Sequence, residues 1–216
     1  MLAKNLQMAA KGASGVATTL AYQDFDSINS TATTRTFSNM GFGADDVNRH
    51  VLVIVHAFYN TANRDFTSVT IGGENASELI ATQQGPVVGG VFSYCGIWAA
   101  QPSGTSGNVV ITASGSVDSW GASTWSLVTA NSTPQATGEA TDVSGSVSFT
   151  DAYKEVSLFA SQGVNDINPN WTNATKIYGN DIRSNEWSSA ATGNLINTSG
   201  TVSVNLVDGA VFATWA

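Results

Sequence analysis

The chain has few side chains suited to acid–base or nucleophilic chemistry, and their spacing singles out no site. Its two histidines, His50 and His56, are six residues apart, which in a regular strand places them on one face about 20 Å apart. That separation is too large for one metal ion. Serines are numerous, but no segment has the G-x-S-x-G pattern of a nucleophile elbow. We therefore interpret both histidines as structural or surface residues and predict that the chain is not an enzyme.

Carboxylates are spread along the chain, and no spacing marks a pair that would converge on a substrate. The closest groupings are Asp24-Phe25-Asp26 and Asp45-Asp46, whose oxygens would suit Ca²⁺. Neither forms an EF-hand loop, and such pairs are common turn formers. The sequence therefore predicts no metal and no cofactor.

The single cysteine, Cys95, lies in an apolar run. One cysteine allows no intramolecular disulfide and no cysteine-based metal site. We interpret it as a small buried hydrophobic residue.

Six tryptophans are the other side chains with functional potential. Trp98 and Trp125 lie in apolar strands and are expected in the core. Trp171 and Trp187 have polar neighbours, so they are the candidates for exposed ligand contacts, with a glycan as the ligand.

Composition limits the class of partner. The net charge is −8, and charged residues make up 11% of the chain, against roughly 25% in typical soluble domains. The eight basic residues are scattered, which argues against direct nucleic-acid binding and against anionic membranes. Low charge also weakens protection against association. We expect a homo-oligomer or a component of an assembly.

The elements that would carry these residues are short strands. In the segment 49–59, Val51, Val53 and Val55 alternate with Leu52 and Ile54, so both faces of this strand are expected to be covered. Gly72-Gly73 is a two-residue hairpin signal. About twelve short strands with no amphipathic helix predict an all-β fold, an antiparallel, jelly-roll-like β-sandwich. Residues 131–145 are expected to form a long surface loop.

The first twenty residues differ from the rest and are expected to form an N-terminal arm, 1–20, ahead of a sandwich domain, 21–216. Leu2, Leu6 and Met8 have a weak helical spacing that Gly12 interrupts. The arm is interpreted either as a frayed terminus or as a docking peptide that orders on a neighbouring subunit.

Several segments resemble β-sandwich structural proteins of tailed bacteriophages. They are Ser68-Val-Thr-Ile-Gly-Gly73, the segment 96–112 around Gln101-Pro-Ser-Gly, the tryptophan-containing strand at 121–128, and the opening Met1-Leu-Ala-Lys-Asn-Leu-Gln-Met. The segments resemble those of head decoration (cement) proteins and tail-fibre accessory proteins. The resemblance implies no catalytic residues. It implies a location on the outer surface of the virion.

Three hypotheses about function follow, and the third is weaker than the first two. The first is a capsid decoration protein, favoured as a trimer, that binds the major capsid protein or other virion proteins through arm anchors Leu2, Leu6 and Met8. The second is a carbohydrate- or receptor-binding module of a tail fibre or tail tip that uses Trp171 and Trp187. The third is a polysaccharide-degrading enzyme.

Overall fold

A computed structural model describes residues 8–11, 16–60, 62–85, 90–141, 146–149, 156–163, 169–183, 186–193, 201–205 and 208–215. The regular structure in these residues is β-strand, and all strand pairs are antiparallel. The predicted all-β antiparallel sandwich is therefore confirmed. Within the described residues, no helix is long and apolar enough to cross a membrane.

The main sheet has eight strands, in the order β1-β2-β8-β3-β7-β6, with β4 paired to β8 and β5 paired to β4. Their bounds are β1 (Met8–Lys11), β2 (Ala17–Gly41), β3 (Arg49–Tyr59), β4 (Phe66–Ile71), β5 (Glu74–Asn75), β6 (Ser77–Gln84), β7 (Phe92–Ala100) and β8 (Ser106–Val128).

Two long strands, β2 and β8, hold this sheet together. The second half of β8 pairs with β3, whereas its first half pairs with β4 on the same side. Between the halves the ladder is irregular, because Ala32 faces Val117 while Thr34 already faces Thr112. This irregularity lets the distal half of the sheet pack against the face of β3 and β7, and the first core contains residues from β2, β3, β4, β7 and β8.

A five-stranded sheet covers the opposite face of the main sheet. Its order is β13-β14-β11-β16-β9, and its strands are β9 (Ala136–Thr141), β11 (Val156–Gly163), β13 (Thr175–Arg183), β14 (Glu186–Gly193) and β16 (Gly209–Trp215). The second core lies between these sheets. Leu52, Ile54 and Trp125 from the main sheet pack there with Leu158 and Trp215.

A three-stranded sheet completes the layers. Its order is β10-β15-β12, formed by β10 (Ser146–Phe149), β12 (Asn170–Thr172) and β15 (Val202–Asn205). Val202 and Val204 of β15 pack on Phe159 and Phe212 in a third core. The fold therefore has more layers than the two sheets of a jelly roll.

The expectation for residues 49–59 is confirmed. Val51, Val53 and Val55 of β3 belong to the first core, and Leu52 and Ile54 belong to the second. The tryptophan expectation also holds, since Trp98 and Trp125 are buried.

The hairpin at Gly72-Gly73 is confirmed as well. Both glycines have positive φ, 61° and 91°, and Ile71 pairs with Glu74 across the turn. Glycine is favoured at such positions because it has no Cβ. The return segment then changes partner, because β5 pairs with β4 whereas β6 pairs with β7. The chain crosses between the two halves of the sheet at Ala76.

Some expectations about the elements are wrong. The described residues form sixteen strands rather than about twelve, and β2 and β8 are 25 and 23 residues long. The predicted loop at 131–145 contains β9, which gains its order by pairing with β16. Residues of the predicted arm also enter the sheet, because β2 begins at Ala17 and Leu20 is buried.

A buried arginine closes one end of the sandwich. Arg49 is 1% exposed, and its guanidinium donates hydrogen bonds to the carbonyl oxygens of Gly43, Ala44, Pro102 and Gly104. It also forms an ion pair with Asp45 at 3.2 Å. Five donors in a rigid fork suit this task better than a lysine ammonium. The two loops at 42–48 and 101–105 are thereby tied to the first residue of β3.

We expect Arg49→Met to lower the free energy of unfolding by about 3 kcal/mol or more, because four carbonyl groups lose a charged donor in a buried site. Asp45→Asn is the matched control. It removes the ion pair of a carboxylate side chain that is 57% exposed, and the amide oxygen can still accept the hydrogen bond from Gly104 N, so it should cost less than about 1 kcal/mol. Urea unfolding of both variants measures the difference, and similar small losses would contradict this role for Arg49.

Candidate functional site

The described residues form a groove of about 330 Å³ between the start of β4 and the edge strand β6. Its lining comprises Asp65, Phe66, Glu78, Ala81, Gln83 and Tyr94. Asp65 and Glu78 are exposed and Gln83 is half-buried, whereas Phe66 and Tyr94 are buried. The groove therefore has a buried aromatic floor below exposed carboxylates.

Hydrogen bonds fix the polar groups of this groove. Trp98 Nε1 donates to Tyr94 Oη at 2.9 Å, and Tyr94 Oη donates to Glu78 Oε2 at 2.9 Å. Burial and, to a lesser extent, the Glu78 carboxylate raise the pKa of Tyr94 well above its ordinary value. The phenol therefore stays protonated and remains a donor to Glu78.

Two further contacts fix the β6 side of the groove and its aromatic floor. Gln83 Nε2 donates to the Arg64 carbonyl oxygen at 2.9 Å, which links β6 to the residues before β4. Phe66 stacks on Tyr94 with ring centroids 3.9 Å apart. A Cβ on Gly96 would lie 2.3 Å from Tyr94 Oη, so glycine at this position gives the phenol its room.

The predicted arm anchors are placed only in part. Leu2 and Leu6 lie outside the described residues. Met8 begins β1, which pairs with β2 in the register Met8–Leu20 to Lys11–Ala17. The backbone at residues 8–11 is therefore a strand at the edge of the main sheet rather than the helical turn that the spacing suggested.

Of the two candidate ligand-binding tryptophans, Trp187 lies on a face of the five-stranded sheet, and Trp171 of β12 packs against that same face. Trp171 is half-buried, packs against Phe159 and donates from Nε1 to Ser189 Oγ at 3.1 Å. Trp187, also half-buried, is two residues before Ser189 in β14, and residues two apart in a strand share a face. Both indoles therefore lie on the side of the five-stranded sheet that carries Ser189.

The histidines differ in environment. His50 is half-buried, and desolvation lowers its pKa. His56 is completely buried between the two large sheets, and its Nε2 is 3.1 Å from Tyr178 Oη. Tyr178 Oη donates in turn to Ser123 Oγ at 2.9 Å. Burial lowers the pKa of His56 to about 3, so the imidazole is neutral near pH 7.

The remaining candidates have structural roles. Asp24 and Asp26 each accept a hydrogen bond from the backbone N–H of the next residue, and Asp46 accepts one from Asn48 N. No group of three or more His, Cys, Asp or Glu side chains in the described part of the chain is arranged to hold a metal ion. Cys95 is buried in the second core, as expected, and burial raises the pKa of its thiol.

No family model, no curated protein and no solved structure matches this chain.

The sequence reasoning missed the groove. Asp65 and Glu78 are thirteen positions apart, and Tyr94 lies in an apolar strand that reads as core. They meet because the chain crosses from one half of the main sheet to the other at Ala76, and no local sequence pattern predicts this crossing.

The neutral state of His56 predicts a pH dependence of stability. Below its ordinary pKa of 6.5 the unfolded chain binds a proton that the folded chain, with a pKa of about 3, does not. The free energy of unfolding should therefore fall as the pH drops from 6.5 toward 3, by up to about 1.4 kcal/mol per pH unit from this residue.

Urea unfolding at several pH values between about 5 and 6.5 checks this slope, because most carboxylates titrate lower. His56→Phe should reduce it, while His50→Phe should change it less because His50 is half-buried. Equal slopes in the wild type and in His56→Phe would show that His56 is not buried as a neutral imidazole.

Proposed function

We propose that this chain is a non-enzymatic structural protein of a bacteriophage particle, and specifically a head decoration (cement) protein that binds and stabilises the capsid lattice. The observation that carries the proposal is an open edge. In the described chain β1 pairs with β2 only over Ala17–Leu20, and no other strand pairs with that side of β2. An open edge offers backbone donors and acceptors to a neighbouring chain.

The composition of this edge supports an adhesive role. Residues 27–34 of β2 carry no charge, and most of them are exposed. Natural edge strands are usually protected by charged side chains, and lysine is the commonest. An uncharged stretch of open edge, in a chain with so few charges, suits a surface that is covered in an assembly. The resemblance to phage sandwich proteins gives the assembly its proposed identity.

The mechanism combines this edge with the N-terminal arm. Residues 8–11 of the arm lie beside this edge, because β1 pairs with the first residues of β2. Leu2, Leu6 and Met8 are the proposed anchors on capsid neighbours, with a trimer as the favoured oligomer and the outer surface of the virion as the location.

We expect deletion of residues 1–12 to abolish binding to capsids that lack the protein, while the sandwich stays folded because β2 keeps its ladder with β8. Co-sedimentation with capsids measures binding, and circular dichroism with thermal unfolding checks the fold. Saturation of capsids by the truncated protein would overturn the arm mechanism.

A second variant separates side-chain anchoring from backbone pairing. The triple change Leu2→Ser, Leu6→Ser and Met8→Ser keeps the chain length and every backbone donor. It should weaken capsid binding if the apolar side chains are the anchors. Immunogold labelling of intact particles tests the location itself, and an even label over the head is expected.

The second candidate function is a carbohydrate- or receptor-binding module of a tail fibre or tail tip. The observation that favours it is the placement of Trp171 and Trp187 on one face beside Ser189. Half-exposed indoles on one face offer the apolar surface on which sugar rings pack.

Under this second function, saturable glycan binding should be lost in Trp187→Ala and in Trp171→Ala. Trp187→Ala is the sharper variant, because Trp171→Ala also removes the hydrogen bond to Ser189 and the contact with Phe159. Trp171→Phe keeps an aromatic ring and should retain part of the binding. Glycan-array screening followed by titration measures this, and a label confined to the head of the particle would count against the module.

A further inference from the structure

We propose that the groove between β4 and β6 binds a small organic cation through an alkylammonium group. The groove is open to solvent and carries two exposed carboxylates, Asp65 and Glu78, on opposite walls. Its volume of about 330 Å³ is close to the lower end of ligand sites. It therefore suits a ligand of a few heavy atoms rather than an oligosaccharide.

The free hydrogen-bonding capacity of the groove is almost entirely that of an acceptor. The Tyr94 hydroxyl proton is used on Glu78 Oε2, and one of the two Gln83 amide N–H groups donates to the Arg64 carbonyl, which leaves one donor beside the acceptors. The acceptors that remain are the Asp65 carboxylate, the second oxygen of Glu78 and the amide oxygen of Gln83. An ammonium group has three donors and no acceptor, so it matches this set in number and in kind.

Other ligand classes fit the groove less well. A neutral sugar needs donors as well as acceptors from its site, because each hydroxyl does both. Ca²⁺ takes six to eight oxygen ligands, more than these three side chains provide. A cation is also favoured by charge, since the groove carries two carboxylates in a chain of net charge −8.

The groove is organised before any ligand binds. The bond from Trp98 to Tyr94 and the bond from Tyr94 to Glu78 hold the Glu78 carboxylate over the aromatic floor. Gly96 leaves the space that the Tyr94 hydroxyl occupies. A carboxylate that is already oriented loses less conformational entropy on binding.

The test uses putrescine as the probe and butanediol as its neutral counterpart of equal length. Titration of the full chain at low salt is followed by the Trp98 indole N–H and the Gln83 side-chain amide in NMR spectra. Putrescine should shift both resonances saturably, whereas butanediol should not, because it carries no charge. Equal shifts with both compounds would overturn the ammonium assignment in favour of a neutral hydroxyl ligand.

Variants of the two lining carboxylates test whether putrescine binds in the groove. Asp65→Asn and Glu78→Gln should each weaken putrescine binding about tenfold, since each removes a charge-assisted hydrogen bond. Glu74→Gln is the matched control, because Glu74 is exposed in β5, does not line the groove and changes the net charge equally. Equal weakening by all three variants, or shifts that never saturate, would reduce the effect to general attraction of cations and overturn the proposal.

Discussion

Both faces of strand β3 can be excluded from water only if two separate layers cover them, and the rest of the architecture follows from that requirement. The first cover comes from the same sheet, since β2 and β8 continue past β3 and their distal halves pack over it with β4. The second cover is the five-stranded sheet. Its central strands β11, β14 and β16 are themselves almost entirely buried. They therefore need the β10-β15-β12 sheet on their far side, and each layer is the consequence of the one before it.

Polar groups between the two large sheets restrict how these sheets can pack against each other. Ser119 Oγ donates to the buried Glu186 carboxylate at 2.7 Å, and Gln162 Nε2 donates to Ser93 Oγ at 3.0 Å. The contact between His56 and Tyr178 lies in the same interface. Apolar packing tolerates a shift of one sheet along the other, whereas a shift would leave these polar groups unpaired at a high cost in a dry interior. Directional bonds thus select one arrangement that hydrophobic contact alone would not.

The parts of the fold that sequence predicts are those with a local cause. Strand β3 could be predicted because both alternating sets of its side chains are apolar, and each set enters a core. The hairpin could be predicted from Gly72-Gly73 because its turn needs positive φ. The length of β2 was hidden, since polar and apolar residues alternate only loosely between Ala21 and Phe37, which predicts one or two strands there, although β8 pairs along this whole segment. Strand β9 was hidden because its order comes from pairing with β16, in which Phe212 lies opposite Gly138, 74 residues earlier in the chain. The groove was hidden for the same reason: Asp65 and Glu78 meet because the chain crosses between the two halves of the main sheet at Ala76, and not through their spacing in the sequence.

The charges on β2 bear on how its open edge would be covered in an assembly. Between Asp24 and Asn29 the ladder with β8 is regular, and this stretch carries Asp24 and Asp26. Two copies that paired antiparallel through it would bring like charges close together, which disfavours the contact. The arm differs, because residues 1–12 contain Lys4 and Lys11 and no acidic residue. A basic segment gains from these aspartates, whereas an identical edge is repelled by them. Charge therefore disfavours direct edge-to-edge stacking of two sandwiches, and the irregular ladder beyond Asn29 further hinders such stacking.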